Sequence, residues 1–107
     1  MIMPIDKDSL AALTEAMHEF VSSKGWYDGN SKRPQTPRNL AISLSLEAGE
    51  VLELFQWRED LPDEIALAGE LADVMLYLMQ LASVCDIDLG KAVLDKLDVN
   101  HLREWDE

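Results

Sequence analysis

Residues 40–57 read LAISLSLEAGEVLELFQW, and residues 66–85 read ALAGELADVMLYLMQLASVC. Both stretches are long, apolar and free of proline, and their apolar side chains recur at helical spacing, which predicts two α-helices. Each stretch nevertheless carries a pair of acids three residues apart, Glu47 with Glu50 and Glu70 with Asp73. Residues three apart share one face of a helix, so each pair directs two carboxylates to one place.

The position of these acids on the helical wheel indicates a metal site. Glu47 falls within the apolar stripe of the first stretch and Glu50 at its edge, whereas Glu53 points away. Burying several ionised carboxylates together is unfavourable unless a cation compensates their charge or one of them takes up a proton. Oxygen ligands without nearby cysteine or histidine suit a hard cation, Mg²⁺ or Mn²⁺. The alternative is two ordinary solvated acidic faces.

The composition favours one small all-α domain, residues 1–107. Glycine and proline are few, with 5 and 4 residues, and 48% of the chain is hydrophobic. The net charge of −12 argues against binding to a nucleic-acid polymer, which requires clustered lysine and arginine. Residues 1–8 lack a basic segment followed by an apolar one, so we predict no secretory signal and a cytoplasmic protein. Two acids within 66–85 favour a buried helix over a membrane span.

Four helical segments are predicted, at 7–24, 37–57, 64–85 and 89–103. Their expected N-caps are Asp6 or Asp8 for the first, Asp63 for the third and Asp88 for the fourth. Such an arrangement is a four-helix bundle, in which sites are built from side chains on facing helices. The second and third helices are apolar on more sides than one small monomer covers, which predicts a homodimer or a larger homo-oligomer.

Two glycines lie next to the acids. Gly49 separates Glu47 from Glu50, and Gly69 precedes Glu70. A glycine inside a helix destabilises it by about 1 kcal/mol relative to alanine. We therefore expect a compensating close approach of the two helix backbones at these positions, with simple packing contacts as the alternative.

Five motifs follow one another along most of the chain. They are Phe20-x-x-x-Lys24-x-Trp26, Pro37-Arg38-Asn39-Leu40, the run 47–57, Glu70-x-x-Asp73-x-x-x-Tyr77 and Lys96-x-Asp98-x-Asn100. In this order they resemble the MazG-like nucleoside triphosphate pyrophosphohydrolases, and in particular the small dCTP pyrophosphatase branch. The loop at 25–36 is longer than in that branch and lacks its histidine before the Pro-Arg-Asn start, which leaves the preferred base open.

The resemblance implies an all-α four-helix bundle of the MazG type, completed by oligomerisation as a homodimer or homotetramer. It also implies an enzyme that hydrolyses (deoxy)nucleoside triphosphates to monophosphate and pyrophosphate with Mg²⁺, or with Mn²⁺ in its place. Such an enzyme would clear modified or surplus deoxynucleotides from the cytoplasm. The two acidic pairs would hold the metal, and either Glu47 or Glu50 would orient the attacking water.

The same resemblance implies which residues contact the substrate. Lys96 would bring positive charge to the phosphates, and Asn100 would hydrogen-bond to sugar or phosphate. Aromatic side chains would stack on the base or pack on the sugar. The residues expected to bind substrate are Trp26, Arg38, Asn39, Trp57, Tyr77, Lys96 and Asn100.

Two other classes of protein remain open from the residues. A di-iron carboxylate bundle uses Glu-x-x-His pairs, and Glu15-x-x-His18 has that form, as does Asp98-x-x-His101 with a shorter acid. Glu15 lies opposite the apolar stripe of its helix and His18 lies off that stripe, so both histidines are predicted to be surface residues. A non-catalytic helical domain that binds a partner is the second alternative.

Overall fold

The computed structural model describes residues 6–105, which form four α-helices and no strand. The helices are α1 (Leu10–Ser23), α2 (Pro37–Glu53), α3 (Glu64–Val84) and α4 (Leu89–Leu102). The predicted all-α class is therefore confirmed. The expectation about a secretory signal falls mainly on residues 1–5 and lies outside the described residues.

Each helix begins after a polar residue whose side-chain oxygen accepts a hydrogen bond from the backbone N–H three residues further on. These N-caps are Ser9, Thr36, Asp63 and Asp88. The predictions for α3 and α4 are confirmed, but the prediction of Asp6 or Asp8 for α1 is wrong. Ser9 has the extended backbone of an N-cap, and its Oγ accepts from Ala12 N at 3.1 Å, so α1 begins later than expected.

The second helix ends earlier than predicted, at Glu53 rather than near Trp57. Tight turns follow, and Trp57 adopts a φ of 69°, a left-handed conformation that is unfavourable for a bulky side chain. The indole is 93% exposed in the single chain. Trp57 therefore does not continue the apolar face of α2.

The core lies where α1 and the C-terminal half of α3 meet. Met17, Val21 and Met79 form its buried centre. Leu40 is the most buried side chain of α2, at 1% exposure. Helix α3 packs on α2 over the longest interface, then on α1, and only lightly on α4, which contributes no buried residue. Helix α3 is therefore the element to which the other three are attached.

The single chain leaves much apolar surface uncovered. Its radius of gyration is 16.8 Å, whereas a compact chain of this length has a value of about 13 Å. Leu52 on α2 and Ile65 on α3 are 72% and 83% exposed. By length and composition alone, α3 is also the one helix within residues 6–105 that could cross a membrane, and 17% of its most apolar window is buried. These helix faces can be covered only by contact with another molecule.

The N-cap of α3 provides a test of the fold. Asp63→Ala removes the acceptor that lies 3.0 Å from Ala66 N, so the free energy of unfolding should fall by about 1 kcal/mol. Asp63→Asn is the matched control, because asparagine caps a helix about as well as aspartate. Urea denaturation at a fixed protein concentration measures both. Equal loss in the two variants would mean that the charge of Asp63, and not its capping bond, stabilises the protein.

Candidate active site

Helices α2 and α3 bring the two acidic pairs to one place. One carboxylate oxygen each from Glu47, Glu70 and Asp73 lies within 4.8 Å of the others. The exposed carboxyl of Glu50 lies close enough to Glu47 and Glu70 to raise the pKa of both. The arrangement follows from local sequence, because the three-residue spacing places each pair on one face and the short connection after α2 makes the two helices neighbours.

Burial and the close approach of the carboxyl groups raise the pKa of Glu47 and Glu70. Burial is the main cause for Glu47, whose pKa rises to about 6, followed by its hydrogen bond with Glu50 and the surrounding negative charges. The hydrogen bond with Glu50 is the main cause for Glu70, followed by burial and neighbouring charges. One of those charges belongs to Glu53, which is exposed but lies close enough to act on Glu70. Without a cation, the cluster therefore tends to hold a proton.

Two oxygen atoms of the cluster lack a partner. Glu47 Oε2 and Glu70 Oε2 are buried and accept no hydrogen bond from the described residues. Leaving a buried oxygen unsatisfied is unfavourable, so such atoms normally have a partner. A divalent cation would satisfy both atoms and neutralise the charge that raises their pKa values. The donor set consists only of oxygen, as magnesium and manganese prefer. The residues present therefore fit a hard divalent metal ion.

The histidine required by the di-iron alternative lies elsewhere. His18 was predicted to be a surface residue, but its side chain is half-buried. Its Nδ1 lies 2.6 Å from Tyr27 Oη, and its Nε2 lies 2.7 Å from Ser83 Oγ. Both ring nitrogens are thus engaged with neutral hydroxyl groups, and the carboxylate cluster consists of residues from α2 and α3 alone. This placement speaks against an iron site built on Glu15 and His18.

A cavity of about 750 Å³ adjoins the cluster at Asp73 and extends between α1, α2, α3 and the loop at 24–36. Its volume is in the range of small-molecule sites. Trp26, Asn39 and Tyr77, three of the residues expected to bind substrate, line it. The cavity therefore offers aromatic surface close to the acidic cluster.

Five further polar residues lie in the cavity wall and were not among the residues predicted to bind substrate. They are Lys32, Arg33, Gln35, Ser43 and Gln80. The guanidinium carbon of Arg33 lies 5.6 Å from the centre of the Trp26 ring, which holds a positive charge at the wall. Gln80 had a visible signal, since it is a lone amide within the apolar run LMQLA. Lys32 and Arg33 were visible as basic residues in an otherwise acidic chain, but their place at the cavity depends on how the loop folds back onto α3.

Four other predicted substrate residues do not line this cavity. Trp57 and Lys96 are exposed, and exposed Arg38 points an N–H toward Asn39 Oδ1 at 3.5 Å. Asn100 Oδ1 on α4 is buried without a partner among the described residues. The expected close approach at Gly49 and Gly69 is also not found, because a Cβ at either position would meet no atom of this chain within 4 Å. Within one copy, these four residues therefore lie away from the cavity and the two glycines away from any close helix contact.

Comparisons with known proteins agree with this architecture. No family model matches the sequence. The human dCTP pyrophosphatase 1 is 42% identical over 79% of this chain and 52% of its own, and the rat protein is 38% identical with the same coverage. The chain thus spans about half the length of the curated relatives it matches. The crystal structure of a pyrophosphatase from Archaeoglobus fulgidus superimposes with a TM-score of 0.72 at 32% identity, covering 92% of this chain and 94% of that one.

The all-α fold is shared over nearly its whole length with a solved pyrophosphatase at 32% identity, and this places the chain in the same structural class. Within that class, the motifs and the similarity to the dCTP pyrophosphatases agree. The chain belongs to the MazG-like nucleoside triphosphate pyrophosphohydrolase family.

The raised pKa of Glu47 predicts how the stability of the metal-free protein depends on pH. The folded chain holds a proton up to about pH 6, whereas the unfolded glutamate releases it near 4.5. The folded state therefore binds more protons between these values, and its stability falls as the pH rises through them. Thermal melts in a chelator should show this loss, and Glu47→Gln should reduce it.

Added Mg²⁺ should stabilise the protein more at pH 8 than at pH 5, because the metal binds the deprotonated carboxylates. Melts at both pH values, with and without the metal, measure the difference. A larger magnesium effect at the acidic pH would contradict the proposed carboxylate site.

Proposed function

We propose that this protein hydrolyses deoxynucleoside triphosphates to the monophosphate and pyrophosphate with the help of a divalent metal ion. The observation that carries the proposal is the position of Asp73, which belongs both to the carboxylate cluster and to the wall of the 750 Å³ cavity. A site for metal-bound phosphates and a site for an aromatic ring are thereby continuous. The similarity to the dCTP pyrophosphatases, whose name states a nucleotide substrate, supports a nucleotide as the occupant.

The cavity would hold the nucleoside part of the substrate. Trp26 and Tyr77 provide aromatic surface against which a base or sugar can pack. Lys32 and Arg33 supply positive charge at the wall of the same cavity, in a chain whose net charge is −12. Such charge attracts a triphosphate, which the acidic cluster alone would repel.

Glu47, Glu50, Glu70 and Asp73 would hold Mg²⁺, or Mn²⁺ in its place. When bound, the ion neutralises phosphate charge and favours in-line attack by water. One carboxylate of α2, Glu47 or Glu50, would accept a hydrogen bond from the attacking water and orient it toward the α-phosphorus. The same carboxylate would take up the proton that the attacking water loses. The bond between the α-phosphorus and the bridging oxygen then breaks, and pyrophosphate leaves.

A second copy of the chain would complete the site. The exposed faces of α2, α3 and α4 and the large radius of gyration support a homodimer or homotetramer. Lys96, Trp57 and Asn100 would then act in substrate binding across the interface. The acids in the middle of α3 favour burial of this helix by protein over insertion into a membrane, because a carboxylate inside a bilayer is energetically unfavourable. We further propose a single cytoplasmic domain over 1–107 that clears modified or surplus dNTPs and binds neither membrane nor nucleic-acid polymer.

The catalytic proposal is tested by pyrophosphate release from the four common dNTPs with Mg²⁺. Glu47→Gln and Glu50→Gln should each lower kcat by about 10²-fold or more, because each removes a group that acts on the reacting centre. Glu53→Gln is the matched control on the same helix and should keep most of the activity. Circular dichroism checks that all variants are folded. Full activity in both Glu47→Gln and Glu50→Gln would exclude the proposed site.

The oligomer is tested by sedimentation equilibrium at micromolar concentration. We expect at least twice the chain mass of 12.1 kDa, because burial of the exposed apolar faces favours association. Leu52→Glu should weaken association, whereas Glu59→Lys, a charge change on an exposed turn residue, should not. A stable 12.1 kDa species for the unmodified chain would contradict the proposed assembly.

A further inference from the structure

A chain of hydrogen bonds runs behind the cavity and connects the loop at 24–36 with α1 and α3. Gln35 Nε2 donates to Arg33 O at 2.7 Å, and Gln80 Nε2 donates to Gln35 Oε1 at 2.7 Å. Gln80 Nε2 also donates to Tyr27 Oη at 3.2 Å, which lies 2.6 Å from His18 Nδ1. Gln80 is 3% exposed, so it is a buried polar side chain.

The backbone carbonyl of Arg33 fixes the orientation of the two glutamine amides. A backbone carbonyl can only accept, so Arg33 O requires the Nε2 end of Gln35. Gln35 Oε1 must then face Gln80, which requires the Nε2 end of that amide. Tyr27 Oη accepts from Gln80 and also contacts His18 Nδ1 at 2.6 Å. His18 Nε2 in turn lies 2.7 Å from Ser83 Oγ.

The fixed orientation of the Gln80 amide leaves its Oε1, a hydrogen-bond acceptor, without a partner among the described residues. Both N–H groups of Gln80 are used, and none of the hydrogen bonds within residues 6–105 involves its Oε1. Gln80 and Gln35 both line the cavity. A turn of the Gln80 amide would place its oxygen against Gln35 Oε1, so the acceptor cannot be exchanged for a donor at low cost. The cavity therefore presents a committed acceptor from a buried residue.

The position of Gln80 along α3 indicates which part of a ligand it meets. Asp73, Tyr77 and Gln80 all line the cavity, and their spacing of four and three residues places them on one face. Gln80 lies about 10 Å beyond Asp73 along the helix, given a rise of about 1.5 Å per residue. A nucleotide whose phosphates lie at Asp73 directs the sugar and then the base toward Gln80. The exocyclic group of the base, farthest from the sugar, is the part that reaches deepest.

We propose that Gln80, held in one orientation by Gln35, selects nucleotides whose base carries an exocyclic amine over those with a carbonyl at the same position. An amine donates to Gln80 Oε1, whereas a carbonyl oxygen would face an acceptor and leave both atoms unpaired. Gln80 is thus a specificity-determining residue for the amino-bearing bases, cytosine and adenine. The inference rests on the proposed function, because it places a nucleotide in this cavity.

The test compares nucleotide pairs in which a carbonyl replaces the exocyclic amine, dCTP with dUTP and dATP with dITP. The adjacent ring nitrogen changes from acceptor to donor in both pairs. We expect kcat/KM for pyrophosphate release to favour the amino member of each pair by about tenfold to a hundredfold. Gln80→Leu should bring both ratios to within about threefold, since the acceptor is lost. Gln35→Leu should also lower them, because the Gln80 amide can then turn. Gln56→Leu, which removes the one other glutamine of the chain from an exposed turn, should leave the ratios unchanged.

A binding measurement separates failure of this inference from failure of the proposed function. Calorimetric titration with dCMP and dUMP in the presence of Mg²⁺ requires no turnover and should show the same preference, again lost in Gln80→Leu. Binding with this preference but without pyrophosphate release would support the inference and overturn the proposed reaction. Pyrophosphate release with equal ratios for both pairs, or with ratios unchanged in folded Gln80→Leu and Gln35→Leu, would overturn the inference alone. Absence of both binding and pyrophosphate release would overturn both.

Discussion

The mutual repulsion of four carboxylates between α2 and α3 is the constraint on which the rest of the structure depends. The longest helix interface of the chain carries Glu47, Glu70 and Asp73 within 4.8 Å of one another. Burial and neighbouring charge raise the pKa of Glu47 to about 6, so the cluster is unfavourable in its ionised form without a cation. A sequence that keeps this arrangement gives up stability in the metal-free state, which is characteristic of a functional site and not of a packing core.

The rest of the fold positions what must meet this cluster. Helix α1 and the loop at 24–36 close a cavity beside Asp73, and Arg33 and Lys32 bring positive charge to its wall. The polar chain from Arg33 O through Gln35 and Gln80 to His18 fastens that loop to the core. The carboxylate proposed for the metal site, Asp73, and the residue proposed to select the base, Gln80, thus lie on the same face of α3. Uncovered apolar faces on three helices account for the proposed oligomer.

Local signals in the sequence predict those parts of the molecule that depend on local structure. The capping oxygen of Asp63, the span of α3 and the convergence of the acidic pairs follow from periodicity and spacing alone. The features that the sequence did not predict depend on contacts between residues distant in sequence or on the path of the chain after a helix. His18 is drawn inward by Tyr27 and Ser83, which are distant in sequence, and α2 ends at Glu53 because the chain turns before Trp57. Gly49 and Gly69 meet open space in one chain, so the reason for them cannot be found within a single copy.

The central claim is that the four carboxylates form one metal site. Anomalous diffraction from a crystal of this protein soaked in Mn²⁺ tests it most directly, because manganese replaces magnesium at oxygen ligands and is located independently of any assay. The account predicts an anomalous peak between α2 and α3, within about 2.5 Å of oxygens from Glu47, Glu70 and Asp73. A fully soaked crystal without a peak there, or with its strongest peak at another group of acids, would contradict the account.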